Sequence, residues 1–166
     1  MNPDTFGFLP EDYSVPSTSD FMKFQKGENT FRVMSPAVTG FEYWTTEKKP
    51  IRSATKWATT PADIALDADG NPTSIKHFWN FIVWNYNDKA IQSLEITQKG
   101  VMDSIKALAD NAKWGNPMKY DITVVKEGEG LKTKYAVQPN PHSEVTPEIV
   151  AEFESKGMKA ESIFDN

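Results

Sequence analysis

Apolar and polar positions alternate with a period of two through several stretches of this chain and follow helical spacing in two others. The strongest signal is residues 76–97, KHFWNFIVWNYNDKAIQSLEIT. Aromatic and β-branched residues run through it and Asn87-Asp88 interrupts it, which predicts a strand, a tight turn and a second strand. A two-residue turn sets Tyr86 opposite Lys89, Trp84 opposite Ile91 and Ile82 opposite Ser93. Side chains alternate across a sheet, so two faces separate. One carries Trp79, Phe81, Val83, Leu94 and Ile96 and is the natural core face. The other carries Phe78, Asn80, Ile82, Trp84, Tyr86, Lys89, Ile91, Ser93 and Glu95. Its mixture of rings and polar groups fits either a platform for a flat ligand or a sheet covered on both sides. A three- or four-residue turn is the remaining alternative, and it would bring Gln92, Leu94 and Ile96 to the side of Trp84.

The same patterning extends along the chain. Thr30–Ser35 and Ala37–Thr46 alternate as strands around Pro36, so residues 29–46 read as one long bent strand or a bulged pair. Residues 47–74 form a long irregular section with a short helix expected at Pro61–Leu66, followed by a turn at DADGNP. Thr97 is placed to cap a helix whose buried stripe is Val101, Ile105 and Leu108. Lys119–Lys126 and Leu131–Gln138 are strands about a turn at Glu127–Gly130. Thr146-Pro147-Glu148 opens a helix over Pro147–Lys156. Residues 1–20 lack periodicity and read as an extended arm. The order is long strand, long loop, strand, strand, helix, strand, strand. That predicts a mainly β (α+β) fold, a five-stranded OB-fold Greek-key barrel with one helix between its third and fourth strands. An arm at 1–20, a binding domain at 21–141 and an acidic tail at 142–166 complete it.

Composition narrows the chemistry. The chain has 166 residues, no cysteine and two histidines, His77 and His142, which excludes disulfides, thiolate metal sites and cysteine nucleophiles. No metal or cofactor is expected. The opening residues do not form a signal peptide and no apolar run reaches transmembrane length, so a soluble, cytoplasmic protein is expected. The net charge is −5, but it is uneven. Residues 21–140 carry 16 bases against 13 acids, whereas residues 1–20 carry four acids and no base, and residues 141–166 carry six acids and two lysines. A mildly basic body with acidic ends suits a polyanionic partner.

In an OB barrel, the face of the second and third strands and two of the loops bind oligonucleotides or oligosaccharides. Here those elements are the aromatic hairpin, the basic loop bearing Trp57 and the turn between Lys126 and Lys132. Sequence-independent binding of a single strand needs rings for bases and cations for phosphates. The base-stacking candidates are Trp84, Tyr86 and Phe78, with Trp44 and Trp57. The phosphate candidates are Lys48, Lys49, Arg52, Lys56, Lys76 and Lys89, followed by Lys126 and Lys132. The rival reading is a non-catalytic carbohydrate- or protein-interaction module using the same platform. Asp63, Asp67 and Asp69 form neither a calcium loop nor a nuclease cluster and read as solvated, so no enzyme is expected.

The segments GENTFRVMS (27–35), GFEYW (40–44), KPIRS (49–53), KHFWNFIVWNYNDKAIQSLEITQ (76–98) and WGNPMKYDITVVKEGEGLKTKYAVQPNP (114–141) together resemble the OB-fold single-stranded DNA-binding proteins of tailed bacteriophages. They cover most of residues 21–141 in order, and each motif alone is weakly specific. Zinc-containing members of that group use Cys and His ligands that this chain lacks. The resemblance implies sequence-independent single-stranded DNA binding in replication, recombination or repair, in the host cytoplasm. It also implies an acidic C-terminus, here Glu161, Ile163, Phe164 and Asp165, that recruits replication proteins such as polymerase, helicase or primase. The same tail is expected to compete for the basic groove when DNA is absent.

Overall fold

The computed structural model describes Phe8 and residues 19–165. The expected arm at 1–20 therefore lies almost wholly outside the described residues. Eight strands form one sheet: β1 (Phe21–Met22), β2 (Gly27–Val33), β3 (Val38–Trp44), β4 (Pro50–Ser53), β5 (Lys76–Asn85), β6 (Ala90–Ile96), β7 (Tyr120–Glu127) and β8 (Lys134–His142). Helix α1 (Lys99–Asp110) lies between β6 and β7, and α2 (Pro147–Lys156) follows β8. No helix among the described residues is long and apolar enough to cross a membrane.

β2 and β3 are two halves of one bent strand, since both pair antiparallel with β5. The bend falls at Met34–Ala37, around Pro36, which has no N–H to donate to a ladder. There the Ser35 hydroxyl substitutes for a ladder carbonyl and accepts from the Ile82 N–H at 2.9 Å. The β5–β6 register is the one expected, with Trp84 opposite Ile91 and Ile82 opposite Ser93. The helix expected at Pro61–Leu66 is absent. Ile64 bridges to Thr45 and Leu66 to Pro72, so the loop folds back on the end of β3 instead.

The sheet order is β1-β6-β5-β2-β7-β8, with β3 and β4 continuing outward from β5. The fold is thus mainly β, but a closed five-stranded barrel is not what forms. A closed barrel would join β6 to β8. Here β1 pairs in parallel with β6 at Ser93 and Leu94, taking up its outer edge. Helix α1 instead packs beside β8 and turns Val101, Met102 and Ile105 into the main core. That core contains Phe31, Phe81, Val83, Leu94, Ile96, Ile122 and Val124.

The outer face of the same strands is also buried. Met34, Ile82 and Ile91 pack with Ile149 of α2, and Val145, Phe153 and Met158 close over them. For this face the doubly covered sheet is the observed arrangement, and its cover is the C-terminal segment.

The segment leaves β8 through a buried arginine. Arg32 is 1% exposed. Its Nε lies 2.7 Å from Asp121 and its Nη1 donates to the Ser143 carbonyl at 3.0 Å, while Nη2 donates to the Ser143 hydroxyl. A buried guanidinium is tolerated only when its donors are satisfied, and removing one partner of such a pair leaves the other charge uncompensated. Arg32→Met is therefore expected to destabilise the fold by on the order of 3 kcal/mol in urea unfolding. An unchanged midpoint would show that this network does not hold the segment's root.

Candidate nucleic-acid interface

The structure distributes the candidate rings over three environments. Phe78 is fully buried, its ring 5.8 Å from Phe164 of the 3-10 turn Ala160–Phe164. Trp84 and Tyr86 are half-buried at the rim of the cover and meet edge-on at 6.4 Å. Burial, and then the carboxylate of Asp121, push the Tyr86 hydroxyl up to about 12. That hydroxyl donates to Asp121 at 3.0 Å. Trp44 is the most open of the five at 46% exposed, and Trp57 packs edge-on against Tyr43 at 4.9 Å.

The cover closes on the sheet through specific contacts. The Asn80 amide donates to the Ala160 carbonyl at 3.0 Å and accepts from the Ser93 hydroxyl at 2.9 Å. Gly40 lies beneath Phe164, where a Cβ would come within 2.9 Å of that ring and 2.6 Å of the Ser53 carbonyl. Phe164 and Ile163 are half-buried, whereas Glu161 and Asp165 face solvent.

The cations fall into three groups. Among the described residues, Lys48, Lys56, Lys76, Lys89 and Lys132 are exposed and have no carboxylate partner, and Lys49 has only a 3.9 Å contact with Glu47. Lys48 and Lys89 sit at turns with φ of 64° and 52°. Lys126 is half-buried and reaches the Phe24 carbonyl at 3.4 Å. Arg52 is different: its Nε lies 3.0 Å from both Glu42 and Glu95, so its charge is matched within the fold. A phosphate would have to displace two carboxylates to reach it. The loop acids are also occupied. Asp63 accepts from the Tyr43 hydroxyl at 2.8 Å, and Asp67 accepts from the N–H groups of Asp69 and Asn71 in an Asx turn.

The ribbon of β3, β4 and the start of β5 carries, on its inner face, rings that the pattern of the hairpin alone does not single out. Phe41 and His77 are cross-strand partners with centroids 5.1 Å apart, and Trp79 and Tyr43 continue the row on either side. Trp79 lies on the core face as expected, packed against the main core beside α1, and remains half-buried. The available signal was the shared parity of Phe41 with Tyr43 and of His77 with Trp79.

The Glu42–Arg52–Glu95 cluster generates a pH dependence. Burial, then the proximity of Glu42, pushes the Glu95 carboxyl from about 4.5 up to about 7, and Arg52 offsets only part of this. Between those values the folded chain binds a proton that the unfolded chain has released, so this group's contribution to stability falls as pH rises from about 4.5 to 7. Glu95→Gln, which retains hydrogen-bonding groups, is expected to flatten that slope and to raise the melting temperature at pH 8 relative to the unaltered chain. Parallel pH profiles for the two proteins would contradict this assignment.

Comparison with known proteins gives a distant relation. No family model matches the chain, and no solved structure matches it. Over 140 residues the chain is 25% identical to a "Probable ssDNA-binding protein" of Escherichia phage T5. The aligned region is 72% of this chain and 54% of the relative, so the chain spans about half the length of the curated protein to which it is similar.

Proposed function

We propose that this chain binds single-stranded DNA without sequence preference and serves phage DNA replication, recombination or repair, using an open OB-type sheet as its scaffold. The observation that carries the reading is the basic ribbon. Trp44, 46% exposed, stands beside a turn bearing Lys48 and Lys49, with Trp57 and Lys56 in the adjoining loop. Aromatic faces among exposed lysines supply the two interactions that such binding needs. The similarity to the T5 protein supports the same reading. Lys76 and Lys89 extend the positive surface along β5 and its turn, Lys126 and Lys132 lie on the β7–β8 hairpin, and Trp84 and Tyr86 add rings at the rim of the cover. The role is non-catalytic.

The C-terminal segment is the regulated part of this proposal. Its acids face outward while Phe164 and Ile149 hold it on the sheet. Baring Phe78, Ile82 and Ile91 would cost on the order of 5 kcal/mol, since each fully buried side chain contributes about 1.5–3 kcal/mol. A stacked base returns roughly 1–3 kcal/mol. A strand that stacks only one base on the outer face cannot displace the segment, whereas one engaging three or more can. Displacement would free Phe164 and Ile163, together with Glu161 and Asp165, for replication proteins such as a polymerase, helicase or primase.

Fluorescence anisotropy with labelled oligo-dT and a matched duplex tests the reading. The chain is expected to prefer oligo-dT, and Trp44→Ala is expected to weaken binding about tenfold, within the range for one stacked base. Phe164→Ala, which loosens the cover, is expected to tighten binding. With a handful of phosphates neutralised, the logarithmic salt slope is expected between about −2 and −4. No binding of oligo-dT at low salt, even by Phe164→Ala, would overturn the reading.

A further inference from the structure

The inner face of the β3–β4–β5 ribbon ends in a cleft of about 630 Å³, between the start of β5 and the first turn of α1. We propose that this cleft is a nucleotide subsite for single-stranded DNA that stays open while the C-terminal segment covers the opposite face. The inference rests on the single-strand reading above and adds a location for part of the strand that the sequence pattern did not indicate.

Four features of the cleft suit a nucleotide. Its volume lies within the usual range for small-ligand sites, roughly 300–1,000 Å³. Trp79 and Met102 line it with apolar surface, and His77 stands beside them with its ring against Phe41. The His77 Nδ1 lies 2.9 Å from the Gly40 carbonyl, which can only accept, so Nδ1 carries the proton and neutral His77 presents Nε2 as an acceptor. Gln98 brings a donor: its carbonyl oxygen accepts from the Thr97 N–H, and its NH2 has no partner among the described residues. Every base offers both donors and acceptors on its edge, so one acceptor and one donor beside a stacking ring accommodate any base.

Charge supports the same occupant. Lys99 lies 2.7 Å from Asp103, and these two cancel. Lys76 lines the cleft without a carboxylate partner, leaving one uncompensated positive charge for one phosphodiester. The cleft also continues the ribbon. Residues two apart on one strand face are separated by about 6.6 Å, so Phe41 with His77, then Trp79, lead to the cleft, while Tyr43 on the far side of Phe41 is buried against Trp57. That spacing is about twice the ~3.4 Å repeat of stacked bases.

The test uses the full chain and oligo-dT carrying one 5-iodouracil, with crosslinked peptides mapped after irradiation. Crosslinks at His77 or Trp79 are expected in the unaltered protein, without loosening of the cover. His77→Ala removes an exposed side chain and is expected to weaken oligo-dT binding about fivefold, the low end for one stacked base. Trp79→Leu should weaken it further, but Trp79 also packs on the core, so His77→Ala carries the decision. Crosslinks confined to Trp84 or Tyr86, with His77→Ala binding like the unaltered chain, would overturn the subsite and leave the single-strand reading intact. Absence of oligo-dT binding by the unaltered chain and by Phe164→Ala would overturn both.

Discussion

β5 is apolar on both faces, and the rest of the structure answers to that constraint. Phe81 and Val83 point into the main core while Phe78 and Ile82 point the opposite way, and all four are nearly inaccessible to water. A single-layer sheet would leave Phe78, Ile82 and Ile91 in solvent, each forgoing about 1.5–3 kcal/mol of burial. The chain supplies two covers from its own length. Helix α1 closes the inner face, and the segment from Val145 through Phe164 closes the outer one. The polar groups under the outer cover are matched as they must be: Asn80 bonds Ala160 and Ser93, and Arg52 is shared between two carboxylates.

This arrangement divides the surface by accessibility. The covered face keeps aromatic side chains but shields them, so it can take a ligand only by exchanging one set of apolar contacts for another. The inner face of β3, β4 and the start of β5 is turned away from the C-terminal segment, and its exposed rings and the loop lysines need no such exchange. Its basic character does not come from Arg52, whose charge is consumed by Glu42 and Glu95. It comes from lysines at turns and in the loop, where a long flexible cation can follow a phosphate without a buried partner. The acids of the C-terminal segment face outward, so apolar packing rather than attraction to the lysines holds that segment in place.

The elements that were legible in the sequence are those determined by near neighbours. The β5–β6 register follows from the position of Asn87-Asp88 between two alternating runs, and α2 begins at Pro147 after Thr146, where a proline is compatible with the first helical turn. Pairings across long separations were not legible. Nothing local to Ile149 or Phe164 indicates that they meet Ile91 and Phe78. Nothing local to Arg52 indicates Glu95, which lies 43 residues away. The barrel expectation failed for the same reason, because the two residues of β1 occupy an edge that local patterning leaves open. At the candidate site, parity identified which residues share a face, but exposure depended on how α1 and the C-terminal segment pack on the sheet.

Hydrogen–deuterium exchange of the full chain, with and without oligo-dT, tests the central claim most directly because it reads the ribbon and the cover together. The account predicts slower exchange on adding DNA at residues 41–57, 76–79 and 98–103. It also predicts faster exchange at 149–153 and 160–164 when the strand is long enough to displace the segment. Unchanged exchange in the ribbon and the cleft at saturating oligo-dT would contradict it.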